Sequence, residues 1–117
     1  MEPRRRFGNW GEDAAAEYLE QKGYRIIERN YTCRYGEIDI IAQNPEGLAF
    51  VEVKSRRSLK FGRPALAVTR EKQNKIRKSA FSFLRNRKAY YRHIRFDVIE
   101  VVSLYGSTFV NHLEGCF

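Results

Sequence analysis

Glu37-Ile38-Asp39-Ile40-Ile41-Ala42 and Leu48-Ala49-Phe50-Val51-Glu52-Val53-Lys54, joined through Gln43 and the turn Asn44-Pro45-Glu46-Gly47, decide the fold. Two strand-like runs flank strong turn chemistry, which predicts a β-hairpin. A four-residue loop from Asn44 to Gly47 pairs Gln43 with Leu48, and therefore sets Ile41 opposite Phe50, Asp39 opposite Glu52 and Glu37 opposite Lys54. Side chains alternate along a strand, so these residues share one face of the sheet. Two adjacent carboxylates repel one another unless a cation lies between them or one keeps a proton. Mg²⁺ is a hard ion that takes carboxylate, water and phosphate oxygens, and Asp39 with Glu52 suits it. Such an ion would polarise a phosphodiester and lower the pKa of a bound water, while Lys54 would orient that water or offset developing negative charge. The plainer alternative makes Glu52 and Lys54 ordinary exposed strand positions and Glu37/Lys54 a surface ion pair.

Working outward, Asn9 to about Lys22 is helical, with Ala15, Ala16 and Leu19 on one face, Asp13, Glu17 and Glu20 on the other, and Gly23 as the stop. Tyr24 to Asn30 reads as a loose strand. After a Gly/Pro loop around Gly62-Arg63-Pro64, a second helix runs from about Val68 to Arg87 on an apolar stripe of Ile76, Ala80, Phe83 and Leu84. Ile94 to Val102 is an alternating strand, and the last residues show a Gly-containing turn without a clear period. The expected order is α-β-β-β-α-β. One α/β domain spanning 1–117 follows, since 117 residues leave no room for a second core.

The chain carries 22 Lys and Arg against 14 Asp and Glu, but the excess is local. Residues 54–88 hold 13 basic residues and one acidic, a net +12, whereas the segments on either side are slightly negative. A solvated helix face normally mixes both signs, so this block reads as a phosphate-facing surface and nucleic acid as the partner, with an anionic membrane surface the weaker option for want of a continuous amphipathic helix. No apolar run approaches the roughly 20 residues that span a bilayer, and no apolar stretch follows the charged start as in a secretory signal. Cys33 and Cys116 stand far apart with no CxxC or Cys/His grouping, which argues against a disulfide scaffold and a zinc site. A non-membrane, cytoplasmic protein is expected.

Glu12 shares the helix face of Ala15, Ala16 and Leu19, where an acid needs a reason. Placement in the first helical turn is one reason. Packing beside the hairpin is the other: Glu12 then joins Asp39 and Glu52 at the metal, with Gly8 and Gly11 permitting close approach. Lys72 begins the inward stripe of the second helix and is placed to hold a phosphate near the metal. Arg56, Arg57, Lys60, Arg63, Lys75 and Lys78 are expected backbone contacts for nucleic acid, with simple surface charge the plainer reading. Asp97 reads as a strand-edge or ion-pairing acid rather than a catalytic one, and His93 and His112 have no partner at informative spacing. The aromatic cluster from Phe81 to Tyr91 reads as core, as base-stacking surface or as the face of an assembly partner.

The motifs Gly8-x-x-Gly11-Glu12, Arg29-Asn30-Tyr31, Gly36-Glu37-Ile38-Asp39, Phe50-Val51-Glu52-Val53-Lys54-x-Arg56, Gly62-x-Pro64, Ala67-Val68-x-x-x-Lys72 and Arg95-Phe96-Asp97-Val98 occur in that order. Together they resemble the YraN-like family of bacterial proteins over about Gly8 to Val101. That family is similar to the PD-(D/E)xK nuclease superfamily and, within it, to archaeal Holliday junction resolvases. The resemblance implies a restriction-endonuclease-like fold, a mixed central β-sheet flanked by helices, with Mg²⁺ or Mn²⁺ as cofactor. Asp39 would be the first acid, Glu52-x-Lys54 the second motif and Glu12 the helix-one acid. Phosphodiester hydrolysis in DNA, branched or otherwise structured, is the implied activity, and a homodimer the implied assembly. A non-catalytic nucleic-acid-binding module on the same scaffold is the alternative, because the basic block alone suffices for it.

Overall fold

In the computed structural model, residues 3–57, 68–87 and 91–117 are described, with the backbone alone for residues 3–8. The elements are α1 (Pro3–Gln21), β1 (Arg25–Cys33), β2 (Gly36–Asn44), β3 (Gly47–Arg56), α2 (Arg70–Arg87), β4 (His93–Leu104) and β5 (Ser107–Leu113). The strands form one mixed sheet in the order β1-β2-β3-β4-β5, parallel between β3 and β4 and antiparallel elsewhere. The α/β class, the mixed sheet and the flanking helices are as expected, and the order is extended to α-β-β-β-α-β-β by one strand.

That strand, β5, follows a tight turn in which Tyr105 and Gly106 both have positive φ, at 51° and 74°. Leu104 pairs with Ser107 across it, the geometry of a two-residue hairpin turn that matches strand twist. β5 is short and mostly exposed, so it carries no alternation from which to read it.

The hairpin register is the expected one: Gln43 pairs with Leu48 and Ile41 with Phe50. The turn itself is tighter, since Asn44 pairs with Gly47 and only Pro45 and Glu46 are looped out. The Asn44 side-chain oxygen accepts the Glu46 and Gly47 N–H groups at 3.0 and 3.1 Å, the local turn-forming contact for which Asn is favoured. Pairing between β2 and β3 ends at Ile40/Val51, although both strands continue. Glu37 lies against Thr32 of β1 rather than in a β3 pair.

Each face of the sheet buries one helix. Ala15, Ala16 and Leu19 of α1 pack on Ile40, Ala42, Ala49, Val51, Ile99 and Val101. Ile76, Ala80 and Phe83 of α2 pack on Ile38, Ile41, Leu48, Phe50 and Val98. Side chains as fully buried as Leu19, Ile40 and Phe50 each contribute about 1.5–3 kcal/mol of transfer free energy. α1 approaches β3 so closely at Gly11 that a Cβ there would lie 1.8 Å from Ser55 Oγ. Any larger residue would have to displace Ser55, and this close approach seats the neighbouring Glu12 against the sheet.

Candidate functional site

The parting of β2 from β3 creates the site. Where the ladder would continue past Ile40/Val51, the Asp39 carboxylate takes its place and accepts the Val53 N–H at 2.8 Å. Glu52 points to the same spot from β3, where it is 7% exposed. Burial first, and then the neighbouring Glu52 charge, push the Asp39 pKa up to about 7, against the opposing pull of the Val53 N–H and of Lys72. The expected pairing of these two acids is therefore realised as a carboxylate pair that holds a proton into the neutral range. Lys72, at the start of α2, sets its Nζ 3.5 Å from Glu52 Oε1. Its position is fixed by the helix cap, in which Thr69 Oγ1 accepts the Lys72 N–H at 3.1 Å. Half of the Lys72 side chain remains exposed, so it screens the pair only in part.

Glu12 reaches the region from the α1 side. It is 8% exposed, and its Oε1 accepts Arg29 Nε at 3.1 Å and Asn30 Nδ2 at 2.9 Å. Burial raises its pKa, the Arg29 hydrogen bond opposes that, and the Asp39 charge raises it further. The helix begins at Pro3, so placement in the first turn does not explain this acid. Asn30 has φ 54°, a left-handed conformation that Asn tolerates best among residues with a Cβ, and it lies across β1–β2 from Asp39 between the Arg29/Ile40 and Tyr31/Ile38 pairs. Among the described residues no three acidic, His or Cys side chains converge closely enough to hold an ion. The structure thus brings Asp39 and Glu52 together and leaves Glu12 beside them, engaged with Arg29 and Asn30.

Lys54 follows Glu52 by two residues on the regular β3/β4 ladder and is its neighbour on the same face, half-buried. Its parallel register partner is Glu100, which is 5% exposed and ion-paired to Arg56 at 2.8 Å. Arg56 is thereby held at the sheet, its side chain 11% exposed, whereas Arg57 is exposed. Lys75 pairs with Glu71 one turn away at 3.7 Å, and Lys78 is exposed on α2. Lys60 and Arg63 lie outside the described residues, as do Gly62, Pro64 and Ala67.

Three contributors escaped the sequence reading. Arg29 and Asn30 stood within a quoted motif without a role, and only the packing of α1 on β1 gives them one. Glu100 had a legible signal: an acid between Ile99 and Val101 in a strand read as buried. His112 is not partnerless either. Its Nε2 lies 2.7 Å from Asp97 Oδ2 and its Nδ1 3.2 Å from Tyr18 Oη. Arg95 donates to both Asp97 oxygens at 3.1 and 2.9 Å, and the Gly115 N–H adds a bond at 3.0 Å. Asp97 is indeed an ion-pairing acid, fully buried, on the face away from the Asp39/Glu52 pair.

A single α/β domain with a largely desolvated carboxylate pair at a strand split is the class that fold and site define. The family described as Uncharacterised protein family UPF0102 matches residues 11–101. The chain belongs to that family, the YraN-like one that its motifs resemble. A UPF0102 protein of Syntrophomonas wolfei is 42% identical over 113 residues, covering 97% of this chain and 98% of the relative. One of Syntrophus aciditrophicus is 52% identical over 96 residues, covering 82% and 76%. UPF0102 protein BL0935 of Bifidobacterium longum is 44% identical over 116 residues, covering 97% and 94%.

Proposed function

We propose that the protein is a metal-dependent endonuclease that hydrolyses phosphodiester bonds in DNA, with branched or otherwise structured DNA as the substrate class. One observation supports this above the rest: Glu52, buried, and Asp39, half-buried, lie side by side with their mutual repulsion only partly relieved by Lys72. That oxygen-only donor pair fits Mg²⁺ or Mn²⁺, and Asp39 and Glu52 would hold the ion. When bound, the ion supplies positive charge that polarises a phosphodiester and acidifies a water. Lys54, on the face of Glu52, orients the attacking water or meets the negative charge that develops on the phosphate. Lys72 offers its exposed ammonium to a neighbouring phosphate, and Glu12 keeps Arg29 and Asn30 packed beside Asp39. Arg57, Lys75 and Lys78 supply the DNA backbone contacts, and a two-fold dimer would set two such centres on symmetric strands.

The engagement of Glu12 with Arg29 and Asn30 favours a second reading, a nucleic-acid-binding module without catalysis. Calorimetric titration with Mn²⁺ separates the two. The nuclease binds the ion, and Asp39→Ala or Glu52→Ala abolishes the heat together with DNA cleavage. The binding module shows salt-dependent DNA affinity with no metal saturation.

A further inference from the structure

Phe81 is 70% exposed, the least satisfied large apolar side chain on α2. It stands over a groove of about 440 Å³ lined by Tyr35, Lys78, Phe81, Ser82 and Arg85, within the roughly 300–1,000 Å³ of small-ligand sites. The groove has a fixed floor, because Tyr31 Oη and Ser82 Oγ are hydrogen-bonded at 3.0 Å and tie α2 to β1. Tyr35 is held in the β1–β2 turn with the Arg34 guanidinium 5.3 Å from its ring centroid. Two aromatic rings thus border a cleft whose remaining rim is cationic. An apolar peptide would have no use for Lys78 and Arg85, and α2 offers no continuous exposed apolar face to lie in a lipid surface. An intact duplex would leave the rings idle, because its bases are stacked on one another.

We propose that this groove binds an unpaired nucleobase of a single strand, stacked against Phe81 and Tyr35, with the flanking phosphates on Lys78 and Arg85. Every base has a π-face, so such a platform accepts single strands without regard to sequence. The inference rests on the nuclease reading for its place in the reaction. Lys72 beside Glu52 and Phe81 are nine residues apart on α2, about 13 Å at a rise of ~1.5 Å per residue. Lys75 and Lys78 lie between them and step around the helix, since nine residues at ~3.6 per turn carry Phe81 to the side opposite Lys72. A strand joining them follows the Lys75–Lys78 side around the helix, a path longer than the axial rise and so more than about four nucleotides at ~3.4 Å each. The platform then seizes an unpaired strand several nucleotides from the phosphate presented to Asp39 and Glu52, which selects flaps, bubbles and junction arms over blunt duplex.

The test is fluorescence anisotropy with a labelled single-stranded DNA of about 12 nucleotides, its RNA counterpart and a blunt DNA duplex, in EDTA. Phe81→Ala is expected to weaken single-strand binding about tenfold, to leave duplex binding within about twofold, and to leave the melting temperature unchanged. Phe81→Trp is expected to restore single-strand binding, and the RNA arm tells whether the sugar matters. Equal losses on single strand and duplex, or none on either, overturn the proposal. So does a Phe81→Ala variant that binds every oligonucleotide normally but loses self-association in sedimentation, which would assign the groove to a protein. Wild type that never cuts DNA yet shows the Phe81-dependent preference refutes the nuclease reading and keeps this one. Wild type that cuts, with Phe81→Ala binding and cutting identically, does the reverse.

Discussion

Replacing Glu52 by Gln should stabilise the metal-free protein at alkaline pH and not at acid pH. At about pH 8.5 Asp39, with its pKa near 7, carries a charge next to Glu52. Two charges about 4 Å apart repel by roughly 4 kcal/mol at an effective dielectric of about 20. Residual solvent access at Asp39 and the Lys72 ammonium at 3.5 Å reduce this, and the half-exposed Lys72 pair that the variant loses is itself worth about 0–1 kcal/mol. A net gain of about 1–2 kcal/mol remains, or roughly 5 °C in a chain of this size. At about pH 5.5 Asp39 holds its proton and the repulsion that Gln would relieve is gone, so Gln forfeits the Lys72 pair and loses about 0.5–1 kcal/mol. The wild type follows the same linkage. Stability contributed by an acid with a raised pKa is fully present below its unfolded value near 4 and is lost as pH rises through about 7. Thermal melts of both proteins in EDTA at the two pH values check this. A Glu52→Gln shift of the same sign and size at both would show that the two carboxylates do not interact.

Mg²⁺ at about 100 times its Kd should raise wild-type stability by about 2.7 kcal/mol at pH 8, less at pH 6 where Asp39 must first shed its proton, and Asp39→Ala should abolish the gain in the same melts. Asp97→Asn should destabilise by about 3–5 kcal/mol, because Arg95 and His112 lose a fully buried partner; urea unfolding measures it. The Asp97 pKa is lowered by His112, Arg95 and the Gly115 N–H despite opposing burial, so its contribution is present above pH 4 and lost as pH falls through its folded pKa, and acid unfolding should steepen accordingly. Gly11→Ala should cost about 1–3 kcal/mol through its clash with Ser55, and the companion change Ser55→Gly should recover most of it in the same urea assay.

What the sequence disclosed was local. The turn Asn44-Pro45-Glu46-Gly47 sets the hairpin register by its own chemistry, and that register brought Asp39 near Glu52, although the ladder stops one pair short of them at Ile40/Val51 and Ile38 and Ile41 pack on the same helix. Gly11 marked the close approach of α1, where a side chain would have to displace Ser55. What stayed hidden depends on contacts between distant segments. Arg29 and Asn30 acquire their role only when α1 lies on β1, and the left-handed φ of Asn30 has no signature beyond the residue being Asn. Arg56 looked like a DNA contact because its charge was visible and Glu100, 44 positions later, was not known to lie beside it. β5 is an exposed edge strand whose partners come from β4, and His112 remained without a partner as long as β5 did.

The measurement that bears most directly on the central claim is cleavage of labelled linear, flapped and four-way-junction DNA with Mg²⁺, Mn²⁺ or EDTA, comparing wild type with Lys54→Ala. Lys54 is half-buried beside the acid pair, and the variant prepared in parallel exposes any contaminating nuclease. Metal-dependent cutting of the flapped and branched substrates that disappears in Lys54→Ala is the expected result. Folded wild type that binds these DNAs and cuts none of them, or cutting that Lys54→Ala retains in full, would contradict the account.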